Sequence, residues 1–125
     1  MKKLFSLLSF AYCISTLHAQ TNVSGGIYTN TTWTLANSPY IVVDTVVVFP
    51  GVTLSIEPGV VVKFENGKQL EIRQATLKAI GNGIDSITFT SNSGSPVSGN
   101  YYGIYLHNSQ SAVFKYCNFY FAANA

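Results

Sequence analysis

Asp44, Glu57, Glu65, Glu71 and Asp85 are all the carboxylates in the chain, and Arg73 is its single arginine. Calcium binding takes six to eight oxygen ligands, and these five acids are scattered along the sequence. Glu57 and Glu65 stand eight residues apart at equivalent points after apolar pairs. That spacing places them at successive corners, as solvated charges. Arg73 reads as an exposed charge at a turn. His107 has no serine and acid at a spacing that would assemble a nucleophilic set, so it reads as a surface histidine. Cys117 and His107 are too few to hold zinc by themselves. No catalytic residue, metal ligand or cofactor is assigned. The best ligand candidates are Tyr101, Tyr102 and Tyr105, which follow a polar loop. If Ile104 and Leu106 point inward, Tyr105 points out. Exposed aromatic rings stack on sugar rings while their hydroxyls bond, so the ligand class they suit is a polysaccharide or cell-surface glycan.

The first nineteen residues have a different character. Met1-Lys2-Lys3 is positive, Leu4 to Ile14 is largely apolar, and Leu17-His18-Ala19 resembles a cleavage triplet. This is the layout of a secretory signal peptide, and the apolar run falls short of the roughly 20 residues that span a bilayer. The expectation is a secreted or cell-surface protein with no membrane span after processing. Removing Lys2 and Lys3 from seven basic residues leaves five, against five acids. A neutral chain has no basic footprint for nucleic acid. Cys13 leaves with the leader, so Cys117 has no partner for an intramolecular disulfide and reads as a buried hydrophobe. Apolar content of 47% argues against disorder.

Residues 20–39 are polar and read as an N-terminal arm or cap, with Trp33 covering the end of a core. From residue 40 the chain is strand-like. Nine valines fall between Tyr40 and Phe64, and β-branched residues favour strands. Apolar-polar-apolar units begin at Leu54, Val62, Leu70 and Leu77, in steps of 8, 8 and 7 residues. Each ends in a corner such as Glu57-Pro58-Gly59 or Glu65-Asn66-Gly67. Alternation buries one face and wets the other, so Lys63, Glu71 and Lys78 should point outward. Gln69 to Ile80 could also form a helix, but the 8-residue step favours strand. Strands this short with corners this tight fit a one-way winding with three faces per turn. Leu77 should then lie over Leu54, and Ile87 over Val62. Later strands are expected over Ile87–Thr90, Gly103–Leu106 and Phe114–Phe121, with Phe114, Cys117 and Phe119 inward.

Thr32-Trp33-Thr34, Ser38-Pro39-Tyr40-Ile41-Val42 and Gly51 to Phe64, with Ile56-Glu57-Pro58-Gly59 at its centre, resemble secreted bacterial right-handed parallel β-helix repeat proteins of the pectin-lyase-like fold. Ile87 to Ser91 and Tyr116-Cys117-Asn118 fit the same pattern. The resemblance covers about residues 26–122. It departs at Tyr101-Tyr102, where such repeats often carry Trp and then Gly. It implies an all-β parallel β-helix (solenoid), of which residues 40–125 are the N-terminal coils. It also implies a longer protein with further coils or domains, since an uncapped solenoid end exposes apolar rungs.

The functional expectation is a non-catalytic structural or adhesive module that takes carbohydrate. The alternative is the N-terminal part of a polysaccharide lyase or glycoside hydrolase with its active site beyond residue 125. Lyases of this fold hold calcium with clustered acids, and the acids here do not cluster in the sequence. An immunoglobulin-like sandwich is a third reading, and it requires antiparallel pairing.

Overall fold

The computed structural model describes residues 19–123. The signal peptide read in residues 1–19 therefore lies, but for Ala19, outside the described residues. Among these, no helix is long and apolar enough to cross a membrane.

Short β-branched and aromatic runs, punctuated by Pro-Gly and Asn-Gly corners, give an all-β chain. The strands are β1 (Thr21–Ile27), β2 (Thr31–Trp33), β3 (Tyr40–Val48), β4 (Thr53–Ile56), β5 (Val61–Phe64) and β6 (Gln69–Arg73). They continue as β7 (Thr76–Ile80), β8 (Ile87–Ser91), β9 (Gly103–His107), β10 (Ser111–Lys115) and β11 (Cys117–Phe119). The segment read as an arm or cap thus carries two strands and a 3-10 turn at Leu35–Asn37. Gln69 to Ile80 is two strands, parted by Gln74 at a φ of 48°.

Every strand pairing is parallel, and no two consecutive strands pair. Hairpins are absent among the described strands, which removes the antiparallel sandwich. The strands fall in three ladders. One runs β2-β4-β7-β10. The other two share the long strand β3, whose first part (Tyr40 to Val42) pairs with β5 and whose last part (Val46 to Val48) pairs with β6. The β5 ladder continues to β8 and β11, and the β6 ladder to β9. Strand β1 runs beside both halves of β3.

Register follows the apolar alternation. Leu54 partners Leu77, as the 23-residue interval predicts. Val62 partners Phe89 and not Ile87. The correction is two residues because the turn at 81–86 lengthens the interval, and an even shift keeps Ile87 and Phe89 on the inner face. Inward residues of the three ladders meet in one core that includes Leu54, Leu77, Val62, Phe89, Leu70 and Ile72. Burying each such side chain contributes about 1.5–3 kcal/mol.

The corners need glycine at two points for different reasons. Gly59 adopts a φ of +80°, a region in which other residues are strained. At Gly81 a Cβ would lie 2.8 Å from the Tyr116 carbonyl oxygen and 2.9 Å from that of Asp85. Its own N–H donates to the Lys115 carbonyl at 2.8 Å, so the two corners are in direct backbone contact.

The outward residues correct some expectations. Glu71 lies on the outer side of β6, between the buried Leu70 and Ile72, yet it is itself buried. Its register neighbours are Val47 and Tyr105, and Arg73 Nε donates to its Oε1 at 3.0 Å. Those three groups cover it. Glu57 and Glu65 are more than solvated corner charges. Glu57 Oε2 accepts the Leu35 N–H at 3.1 Å, and Glu65 Oε1 accepts Asn92 Nδ2 at 2.8 Å. Each carboxylate fastens a loop to a corner. Asn118 partners Thr88, between the inward Cys117 and Phe119. It belongs to the outer face.

Candidate functional site

The outer face of β3, β6 and β9 brings together Glu71, Arg73, Tyr105 and His107. Two adjacent rows cross it. Gly26, Val47, Glu71 and Tyr105 share one register row. Two residues further along each strand stand Tyr28, Phe49, Arg73 and His107. Parallel strands lie ~4.8 Å apart, so each row of four spans about 14 Å.

The second row is a stack of flat groups. The rings of Tyr28 and Phe49 are 4.6 Å apart and 17° from parallel. The Arg73 guanidinium sits 5.6 Å from the Phe49 centroid, a cation–π contact. His107 partners Arg73 in register and lies 5.9 Å from Tyr105 with the rings tilted by 50°. Gly26 makes room for this arrangement, because a Cβ there would come within 2.6 Å of the Tyr28 ring.

Tyr28 and Phe49 each turn one ring face to the other. Tyr105 is different: it is half-exposed on the edge strand β9. Polar groups surround it. Glu71 is beside it in register, its carboxylate is oriented by Arg73, and His107 is two residues on. Near the start of the same strand Tyr102 is exposed, and its N–H donates to the Lys68 carbonyl at 3.0 Å. Lys68 Nζ in turn pairs with Asp44 at 3.2 Å. The Asp44 carboxyl is held below its ordinary range, chiefly by the Thr45 N–H and then by Lys68.

Tyr101 does not belong to this surface, which corrects the grouping of the three tyrosines. It is fully buried and stacked on Phe64 at 4.4 Å, with the rings 2° from parallel. Ala122 bridges to it in parallel and covers it. The Tyr101 hydroxyl has no hydrogen-bond partner among the described residues. Burial pushes its pKa up to about 12 from 10. Between pH 10 and 12 the unfolded chain therefore releases a proton that the folded chain keeps. Stability is unaffected by this group below pH 10 and falls as pH rises through that window. Tyr101→Phe removes a buried, unpartnered hydroxyl. It should raise stability near neutral pH by about 1 kcal/mol and flatten the alkaline decline, as read by urea unfolding at pH 7 and pH 11.

Cys117 lies inward beside the core. Burial pushes its thiol pKa up, and a backbone hydrogen bond at Lys115 opposes this in part. Such a thiol is a poor nucleophile. No group of three or more His, Cys, Asp or Glu side chains comes together as a metal site among the described residues. Asn30 and Asn22 match the glycosylation pattern, and the Asn30 side-chain oxygen accepts the Thr53 N–H at 2.9 Å, which gives Asn30 a corner role.

The sequence pointed to Tyr105 and Tyr102 but set aside Arg73, Glu71 and His107 as separate outward-facing residues. Their spacing held the missing signal. Glu71 and Arg73 stand two apart on one strand, and Tyr105 and His107 two apart on another. Parallel register then brings the two pairs side by side. Comparison of the chain with family models, with curated proteins and with solved structures gives no match.

Proposed function

We infer that the chain is a right-handed parallel β-helix module of the pectin-lyase-like type. In this reading it belongs to a secreted or cell-surface protein and binds carbohydrate, in a structural or adhesive role, on the outer face of β3, β6 and β9. The all-parallel pairing supports the winding. Three ladders visited in the same order, with no consecutive strands paired, need one-way connections, and parallel connections are right-handed in nearly all proteins. The winding alone says nothing of function, because fold does not determine activity.

The observation that carries the function is the setting of Tyr105. A half-exposed ring lies beside a carboxylate–guanidinium pair and a histidine. A sugar presents an apolar C–H face to the ring and hydroxyls around its rim. Guanidinium and imidazole N–H groups donate to those hydroxyls, and the buried Glu71 carboxylate holds the guanidinium in place. Few polar groups placed around an aromatic surface are the usual makeup of small-molecule sites.

The test is calorimetric titration with cellohexaose, xylohexaose and hexagalacturonate. At least one should bind, and Tyr105→Ala should weaken that binding by roughly tenfold or more, consistent with an aromatic contact of about 1.5 kcal/mol. Tyr101→Phe should bind as the parent does. Failure of all three ligands, or equal binding by Tyr105→Ala, would contradict the reading. Cleavage of an oligosaccharide would instead favour the enzyme alternative.

A further inference from the structure

The chain holds two Asn-Gly dipeptides, Asn66-Gly67 and Asn82-Gly83, each at an exposed corner. In such a pair the glycine nitrogen can attack the asparagine side chain, because glycine puts no Cβ in the way. The two corners treat that nitrogen differently. The Gly67 N–H donates to the Asn100 carbonyl at 2.8 Å, and the turn around it is closed by the Lys68 N–H on the Glu65 carbonyl at 3.1 Å. The Gly83 N–H makes no backbone hydrogen bond among the described residues. Here the asparagine is held instead. The Asn82 Oδ1 accepts the Ile84 N–H at 3.0 Å and the Asp85 N–H at 2.8 Å. The Asn82 N–H donates to the Asp85 carbonyl at 3.1 Å. This corner lies within the ladders, since β7 pairs with both β4 and β10, and β8 with both β5 and β11.

We propose that Asn82 is a site of spontaneous deamidation and that Asn66 is protected from it. The Gly83 nitrogen gives its proton to solvent and bonds to Asn82 Cγ. Negative charge builds on Oδ1, which already accepts two N–H groups, as in an oxyanion hole. The Cγ–Nδ2 bond then breaks, and the nitrogen takes a proton from solvent and leaves as ammonia. Water opens the resulting succinimide at either carbonyl, giving aspartate or isoaspartate at position 82. The balance is one water consumed and one ammonia released. At Asn66 the same attack must first break the hydrogen bond from Gly67 to Asn100. The product bears on the fold. A new carboxylate stands three residues from Asp85. Isoaspartate also adds a methylene to the main chain next to Gly81, where a Cβ would already lie 2.8 Å from the Tyr116 carbonyl oxygen. The inference is independent of carbohydrate binding, because this turn joins β7 to β8 and is no part of the outer face of β3, β6 and β9.

The experiment ages the protein, purified after expression of the full chain, in mildly alkaline buffer and follows both asparagines by peptide mass mapping with fragmentation. Asn82 should gain about 1 Da, the difference between an amide and a carboxyl. It should do so roughly tenfold or more faster than Asn66. Ageing in concentrated urea should bring the two rates within about threefold of each other, because only the sequence neighbours then differ. Gly83→Ala should slow the reaction of Asn82 by roughly tenfold, since a methyl group then flanks the attacking nitrogen. A Cβ at that position meets nothing within 4 Å, so the variant should keep the parent circular dichroism spectrum. Equal rates at the two sites in the folded protein, or a faster reaction at Asn66, would overturn the proposal. So would an Asn82 that stays intact in the folded protein while it converts in urea, or a preference for Asn82 that persists unchanged in urea.

Discussion

Replacing Phe64 by alanine should destabilise the protein by about 3–5 kcal/mol, the range for removing a buried aromatic ring. Phe64 is fully buried, and the Tyr101 ring lies flat upon it at 4.4 Å. Its removal leaves a cavity that neighbouring strands cannot close, because ladders on each side fix the backbone of β5. It also strips Tyr101 of its stacking partner and leaves the unpartnered hydroxyl above a void. Phe64→Leu keeps most of the volume and should cost less than about 1.5 kcal/mol. Urea unfolding of the two variants measures the difference. A loss under 1 kcal/mol for Phe64→Ala would mean that the ring is not packed as described.

Trp33→Ala should have a comparable effect, again about 3–5 kcal/mol. Trp33 is buried and stacked on Tyr40 at 4.9 Å, 15° from parallel. The pair is also tied by backbone. The Trp33 carbonyl accepts the Glu57 N–H at 3.0 Å, and the Tyr40 hydroxyl accepts the Thr34 N–H at 2.7 Å. Losing the indole opens the core between β2 and β3. Trp33→Phe retains a ring over Tyr40 and should recover more than half of the loss. Equal destabilisation by both substitutions would show that the indole is held by something other than the stack.

Much of the architecture was readable because the apolar alternation and the corners agree. Leu54 and Leu77 pair at the interval that the 8, 8, 7 steps require. Phe114, Cys117 and Phe119 partner inward residues as expected, and the apparent slip in their alternation is Tyr116, which turns the corner at a φ of 51°. Where the repeat loosens, the reading failed by the length of the loop. Two residues at the 81–86 turn moved the partner of Val62 from Ile87 to Phe89. Strand content was also hidden in the polar stretch Thr21–Ile27, which pairs through its backbone and carries little apolar patterning of its own.

The candidate site was harder to read for a physical reason. Parallel register joins residues some 34 positions apart, such as Glu71 with Tyr105 and Arg73 with His107. The polar stretch between Ser91 and Tyr101 sets that interval, and nothing in its composition reports it. Tyr101 and Tyr102 are adjacent and chemically alike, yet one is core and the other surface. What separates them is Ala122 laid over Tyr101, a contact from 21 residues away.

The central claim is that the outer face of β3, β6 and β9 binds a saccharide chain. Amide and side-chain chemical-shift mapping by nuclear magnetic resonance, with the tightest-binding of the three hexasaccharides, tests it most directly. The account predicts perturbations centred on Tyr105, His107, Arg73 and Glu71, extending toward Phe49 and Tyr28 or toward Tyr102 and Lys68. Perturbations confined to β4, β7 and β10, or to Tyr116 through Phe121, would contradict it.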